Sequence, residues 1–470
     1  MDDELFFTNV TYDPDVYYFL YIGELKCYDL NRFLAEMFSR RTGRRCEWIS
    51  IVPDILNQYT HRNLIVLPPP GVPAEPETGG LPVSLRADSA RFMEAVSAHP
   101  AVHRLIDRIL SGQEHLFIHM YESIPEMTLD DRPRVSLLGP DKELARRLNN
   151  KAVQYRMLAG TVPVVDFRIC ESMADLLTTT EQLRPLWPDG IFVSRLYSAA
   201  GTASAITRCQ EDILRKFGHL DEQYLISRYI PHLHDPTVLA VVANGDEVYI
   251  AGVADQRIED GNRFVGSTYP SILPRQITAR LREYTRRVGR LMGREGYRGI
   301  FGCDYLVDAD MRVHFVEINA RKQGTTLEFC YALEQILPPG SPSLPELEYH
   351  AVLEGRFPAD TVEPDDTPPP VCWGTYNYKL RERHVTCGYI PQNIHERESF
   401  CRVARGELFK DYVILEHIGS RHLVMPGTFL ARAVSVAREP DDVREGLDQA
   451  RRMIELTIDN RNQMQECRPQ

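Results

Sequence analysis

At 470 residues the chain is long enough for two or three domains with a cleft between them, and its 43% hydrophobic and 26% charged residues are the balance of an ordinary globular protein. A formal charge of −12 argues against nonspecific binding to a phosphate backbone, so nucleic acid is not an expected partner. The opening MDDELFF lacks a basic stretch followed by an apolar one, and no uninterrupted apolar run reaches membrane-spanning length, so a cytoplasmic protein with no membrane association is expected.

In chain order, Val16 to Ile22 reads as a strand, Leu30 to Phe38 as a helix and Asn63 to Leu67 as a strand. Pro68 to Pro82, rich in Pro and Gly, reads as an exposed connector. Arg91 to Leu110 has helical spacing and His115 to Met120 reads as a strand, which together predict an open α/β layer. Beyond it come a strand at Val135–Leu138, a helix from Lys142 to Met157 and a strand at Val162–Asp166. Two hairpins follow: Ile191–Tyr197 with Ala203–Arg208, and Thr237–Ala243 with Glu247–Val253 around Asn244-Gly245. They predict a small α+β lid. A basic amphipathic helix, Pro274 to Gly293, precedes strands at Gly302–Val307 and Val313–Asn319. A second Pro-rich connector, Pro358 to Pro370, leads to further strands and a last helix from Asp441 to Ile458.

The ten cysteines are scattered, with no CxxC pair and no zinc-finger spacing, and read as reduced and structural. Cys303, beside Asp304, invites a nucleophile reading, but a strand cysteine turned into the core is the simpler one. Neither G-x-G-x-x-G nor a P-loop occurs, so nucleotide binding must rest on other residues.

The hairpin at 303–321 carries the chemistry. Alternation along Phe315-Val-Glu-Ile-Asn-Ala-Arg321 puts Glu317, Asn319 and Arg321 on one face. With a turn centred near Ala309, Asp304 is expected on the same side, roughly 7 Å away on the diagonal. Two carboxylates so placed suit magnesium shared with nucleotide phosphates. An ordinary solvated hairpin face is the competing reading.

This motif resembles the terminal metal motif of the ATP-grasp ligases, and Asp304 matches its upstream acidic partner; the resemblance covers roughly residues 135 to 337. It implies Asp304, Glu317 and Asn319 as magnesium ligands and Arg321 as the group that stabilises the acyl phosphate or tetrahedral intermediate. Asn150-Lys151 and the following run to Pro163 are similar to the family's Asp-Lys segment, which gives Lys151 an ATP phosphate. The family's strand lysine is replaced by Arg195, whose fork still suits a phosphate. Ser198, Gly201 and Thr202 stand in the phosphate loop, with fewer glycines than in relatives. Tyr224 to Ile230 resembles the strand whose backbone reads adenine, with Arg228 and Ile230 at the base edge, and Arg257 is placed near the transferred phosphate.

The resemblance implies a multidomain α/β and α+β chain: an N-terminal open α/β, pre-ATP-grasp-like domain (1–134), an ATP-grasp domain (135–345) with a hairpin lid at about 160–255, and a β-rich C-terminal α+β extension (346–470). The layout is similar to pheganomycin-type peptide ligases. It implies ATP and Mg2+ as cofactors, a small carboxylate and an amine or peptide as substrates, and a homodimer as an architecture common among such enzymes. Biotin-carboxylase-like chemistry, phosphotransfer and a noncatalytic nucleotide-binding module remain as alternatives.

Overall fold

The computed structural model describes residues 10–23, 28–53, 63–67, 83–84, 88–197, 204–259, 263–365, 369–380, 382, 384–385, 395–415, 423–424, 426 and 429–466. The connector at 68–82 and the loop residues Ser198, Gly201 and Thr202 lie outside these.

The N-terminal part is an all-parallel sheet of five strands in the order Leu64–Val66, Cys46–Val52, Tyr17–Ile22, Leu116–His119 and Val135–Leu138. The chain winds outward from Tyr17–Ile22 in one direction and then returns to its other side. Strand order therefore reverses between Tyr17–Ile22 and Leu116–His119, where an open α/β sheet leaves a crevice at its carboxyl edge. The central strand YYFLYI is buried at every position, as a strand covered on both faces must be. The helical run at Arg91–Leu110 is two helices, Ser89–Ala98 and Pro100–Gly112, because Pro100 can start a helix but not continue one.

A four-stranded antiparallel sheet follows, in the order Phe167–Cys170, Tyr224–Arg228, Ile191–Arg195 and Ser204–Thr207. Val162 and Val164 make only isolated bridges, so the strand expected at 162–166 begins instead at Phe167. The hairpin at Asn244-Gly245, grouped with the lid on sequence, belongs to the largest sheet. There Pro236–Val242 pairs with Gly299–Val307 on one side and with Val248–Glu259 on the other.

That largest sheet has eight strands, in the order Val313–Asn319, Gly299–Val307, Pro236–Val242, Val248–Glu259, Arg263–Tyr269, Cys372–Lys379, Phe429–Ala437 and Lys410–Leu415. Its last three strands come from the C-terminal part, joined through Thr268↔Gly374 and Tyr269↔Trp373. The junction is tightly made: Trp373 is fully buried, stacked on Tyr269 at 5.7 Å and edge-on to Phe329 at 5.2 Å. Helix Arg275–Arg294 covers one face of this sheet with Ile277, Leu281, Val288 and Met292 in the core. No helix among the described residues is long and apolar enough to cross a membrane. The described cysteines that are not paired include Cys303, which is fully buried; burial raises its thiol pKa, which removes it as a nucleophile.

Candidate active site

Asp304 and Glu317 are cross-strand partners, directly opposite and not diagonal as the sequence suggested. Near the turn the register runs Val307↔Val313, Leu306↔His314, Tyr305↔Phe315; then Asp304 pairs with Glu317, leaving Val316 as an extra residue. Without this bulge Asp304 would face Val316, and Glu317 would point to the other side of the sheet. Asp304 also pairs with Thr237 on its other flank, so Thr237, Asp304 and Glu317 form one row across three strands. Asn319 lies two residues beyond Glu317 on the same face, opposite Gly302.

The side chains meet accordingly. Asn319 Nδ2 donates to Asp304 Oδ2 at 2.9 Å, and Arg321 Nη2 donates to Asn319 Oδ1 at 3.0 Å. The Lys151 ammonium pairs with the Glu317 carboxylate. Lys151 reaches it from a helix start that sequence periodicity smoothed over: the expected helix 142–157 is two, Lys142–Leu148 and Lys151–Leu158. Asn150 caps the second by accepting from the N–H groups of Ala152 and Val153, which fixes Lys151 in the first turn. Burial outweighs the pull of Asp304, and with Arg321 nearby the Lys151 ammonium is pushed down to about 8.

Arg321 turns toward the end of strand Leu116–His119. Its Nη1 donates to Tyr121 Oη at 3.3 Å, and its Nε stands 3.7 Å from Glu122 Oε2. Burial works against its charge, but Tyr121, Glu122 and Asp304 more than offset it, so its pKa is raised and it remains a cation. Next to it, Lys322 and Glu348 form a buried pair at 2.6 Å, and the Lys322 N–H donates to the Tyr121 carbonyl at 3.3 Å. These contacts fasten the motif to the parallel sheet.

Lys151, Asp304, Glu317, Asn319 and Arg321, with Tyr121 and Glu122, open into one cavity of about 400 Å3, a size suited to a small-molecule ligand. Part of its wall is apolar, with Phe192, Ile206, Leu225, Leu306 and Phe315, and Arg228 and Ile230 also line it. His232 Nδ1 lies 2.8 Å from the Ile230 carbonyl and Nε2 lies 3.0 Å from Asp235 Oδ1, so two acceptors flank the ring. The hydrogen bond to Asp235 is the main cause of its raised pKa. The lining also takes in Ile22, Gly23, Met93 and Tyr121; Ile22 ends one of the two strands between which strand order reverses, and Tyr121 follows the other.

Of the residues singled out on sequence, the cavity gathers Lys151, Arg228, Ile230, Asp304, Glu317, Asn319 and Arg321. Two arginines are not brought in. Arg195 holds Glu222 on the opposite side of its strand, with Nη2 to Oε2 at 2.9 Å, because alternation gives the cavity Phe192 and Ser194. Arg257 lies over the Tyr376 ring at 5.7 Å, while its neighbours Gln256 and Ile258 line the cavity. Thr237, Gln323, His232 and Asp235 were missed. Neither Thr237 nor Gln323 has a local signal: strand order brings Thr237 to Asp304, and Gln323 lies in the loop beyond the end of the strand Val313–Asn319.

Residues 150–325 match the ATP-grasp domain family. The chain carries an ATP-grasp domain. A curated relative from Niallia circulans, a butirosin acyl-carrier protein L-glutamate ligase, is 22% identical over 210 residues, 43% of this chain and 50% of that protein. The chain thus matches about half the length of that relative. Among solved structures, the biotin carboxylase of Campylobacter jejuni in an ATP complex shares the fold with a TM-score of 0.61 at 12% identity, over 91% of this chain and 89% of that one. N5-carboxyaminoimidazole synthase from Aspergillus clavatus, with ADP and its ribonucleotide, gives 0.57 at 13% identity, over 94% and 100%. These likenesses establish the ATP-grasp fold, whose matched stretch holds both Lys151 and the Asp304–Glu317 hairpin.

Among the described residues no three His, Cys, Asp or Glu side chains gather as a closed metal cage. Two carboxylates and one amide on a single face, open to a cavity, instead suit an ion completed by phosphate oxygens and water, which fits magnesium.

Proposed function

We propose that the protein is an ATP-dependent carboxylate–amine ligase that forms an amide through an acyl phosphate and releases ADP and phosphate. The observation that carries this reading is the convergence of Lys151, Asp304, Glu317, Asn319 and Arg321 on one cavity whose lining also takes in Ile22 and Tyr121 of the N-terminal part. The ligase name of the curated relative supports it.

Asp304, Glu317 and Asn319 would hold magnesium, which when bound neutralises phosphate oxygens of ATP. The apolar part of the cavity wall takes the adenine, with the Ile230 backbone at the base edge. Lys151, which pairs with Glu317 in this structure, would balance negative charge at the phosphates. A substrate carboxylate attacks the γ-phosphorus in line as the ADP oxygen leaves, and the amine then adds to the acyl carbon as phosphate departs. Arg321, a permanent cation held from behind by Tyr121 and Glu122, faces the developing oxyanion. The four-stranded sheet at 167–228 is the piece proposed to close as a lid and exclude water.

The test is magnesium-dependent ADP release with hydroxylamine as the trapping amine, over a panel of amino acids and small carboxylates with Glu317→Ala as control. Carboxylate-dependent ADP accompanied by hydroxamate, and lost in the variant, is the expected result. A stable phosphorylated product without hydroxamate would make the protein a phosphotransferase. Bicarbonate-dependent turnover would favour the carboxylase-like alternative, and ATP binding without turnover on any substrate a noncatalytic module.

A further inference from the structure

Asp304 has two carboxylate oxygens, and the structure treats them differently. Oδ2 turns toward Asn319 on the metal-binding strand. Oδ1 is turned the other way, accepting from Thr237 Oγ1 at 2.7 Å and from Gln323 Nε2 at 3.3 Å. Gln323 Nε2 also lies 3.1 Å from Thr237 Oγ1, so the hydroxyl, which spends its one hydrogen on Asp304, accepts from the amide. Thr237 is 2% exposed and Gln323 7%, so water competes little for these bonds.

Neither partner is there by local sequence. Thr237 belongs to Pro236–Val242 and reaches Asp304 because the two are cross-strand partners. Gln323 comes from the loop after the metal strand, where its N–H donates to Thr326 Oγ1 at 2.9 Å and its carbonyl accepts from the Thr326 N–H at 3.1 Å. That loop folds back so that the Gln323 amide lies flat on Gly302. A Cβ at Gly302 would meet Gln323 Cδ at 2.0 Å and Nε2 at 2.1 Å, so the missing side chain is what lets the amide in.

We infer that Thr237 and Gln323 are positioning residues for the metal ligand Asp304. Together they occupy Oδ1 and fix the carboxylate plane, so that Oδ2 alone faces the cavity and ligates through one oxygen. A carboxylate held in this way presents Oδ2, whose partner in this structure is the Asn319 amide, without the rotamer loss that a loose ligand would incur on binding. Gly302 is part of the same device. This rests on the reading of Asp304, Glu317 and Asn319 as the metal site.

The test measures metal binding and not turnover: Mn2+ binding in the presence of saturating ADP, followed by electron paramagnetic resonance. Thr237→Val keeps the shape and removes the hydroxyl, and it is expected to weaken Mn2+ about tenfold or more, while Thr237→Ser restores binding to within about threefold. Gln323→Leu, and Gly302→Ala through displacement of the amide, are expected to weaken Mn2+ in the same direction with ADP affinity in EDTA unchanged; either keeps the inference testable if Thr237→Val does not fold. Wild-type Mn2+ affinity in folded Thr237→Val and Gln323→Leu would overturn it. Asp304→Asn and Glu317→Ala separate the two levels: if they abolish Mn2+ binding while the Thr237 and Gln323 variants do not, the positioning role fails alone. If Asp304→Asn and Glu317→Ala also bind normally, the metal site fails with it.

Discussion

Asp304 stands directly opposite Glu317 because Val316 is one residue more than the facing strand can pair. A bulge of this kind costs a ladder position and in exchange re-aims the side chains beyond it. Here the residues beyond it are Glu317 and Asn319, which the ordinary register would have turned away from Asp304. The site is thus made by an irregularity in a hairpin whose outer end is regular.

The first expectation follows from that pairing. Asp304→Asn keeps an oxygen for Thr237 and preserves the row Thr237–Asp304–Glu317, but removes a charge from the proposed metal site. Magnesium-dependent ADP release should fall by roughly a hundredfold or more, with the thermal midpoint within a few degrees of wild type. Unchanged turnover would show that Asp304 does not ligate the metal.

Lys151 sets a pH dependence. Its folded pKa of about 8 is below the ordinary lysine value of 10.5, so the unfolded chain binds more protons between these values and stability rises with pH across that window. Below about 8 the cost of burying the ammonium is fully present. Chemical denaturation of the ligand-free protein should show a gain of a few kcal/mol between pH 8 and 10.5 that Lys151→Met lacks. Parallel pH profiles for the two proteins would refute the assignment.

His232, between the Ile230 carbonyl and Asp235, titrates the other way. Its pKa is raised, chiefly by the bond to Asp235, so its stabilising contribution is complete below the unfolded value of 6.5 and is lost as pH climbs through the folded value. Nuclear magnetic resonance should place its midpoint above 6.5, and Asp235→Asn should lower it. A midpoint at or below 6.5 in the wild-type protein would contradict the paired geometry.

Arg195 is an expected silence. Its guanidinium is engaged with Glu222 on the side of the strand away from the cavity and is 39% exposed. Arg195→Ala should leave the ADP dissociation constant within about twofold and cost less than about 1 kcal/mol of stability. A tenfold loss of nucleotide affinity would mean that the strand turns this face inward when ATP binds.

Gly266 tests how the C-terminal strands are joined. A Cβ there would meet the Thr375 carbonyl oxygen at 1.9 Å and its carbon at 2.7 Å, both backbone atoms that have nowhere to retreat. Gly266→Ala should destabilise the fold by about 3 kcal/mol or more, read as a shift in the urea midpoint. A shift below about 1 kcal/mol would indicate that the two strands separate at little cost.

Much of this was legible in the sequence, and for a physical reason. Hydrophobic period, caps and turn residues act over a few neighbours, so the strands at 17–22, 116–119, 299–307 and 313–319 and the helix at 275–294 stand close to where periodicity puts them. Glu317, Asn319 and Arg321 were legible as one face because their spacing along a strand is local, whereas Lys151, far upstream in the chain, was placed with them only by the resemblance of its own segment. What the sequence alone could not decide was which way side chains face. A single extra residue at Val316 inverts a face, alternation from an unseen strand start turns Arg195 away, and Thr237 meets Asp304 only through the order of strands in the sheet. Facing and register are set by pairing between segments far apart in the chain, where burial of one face selects among alignments that local propensity leaves equal.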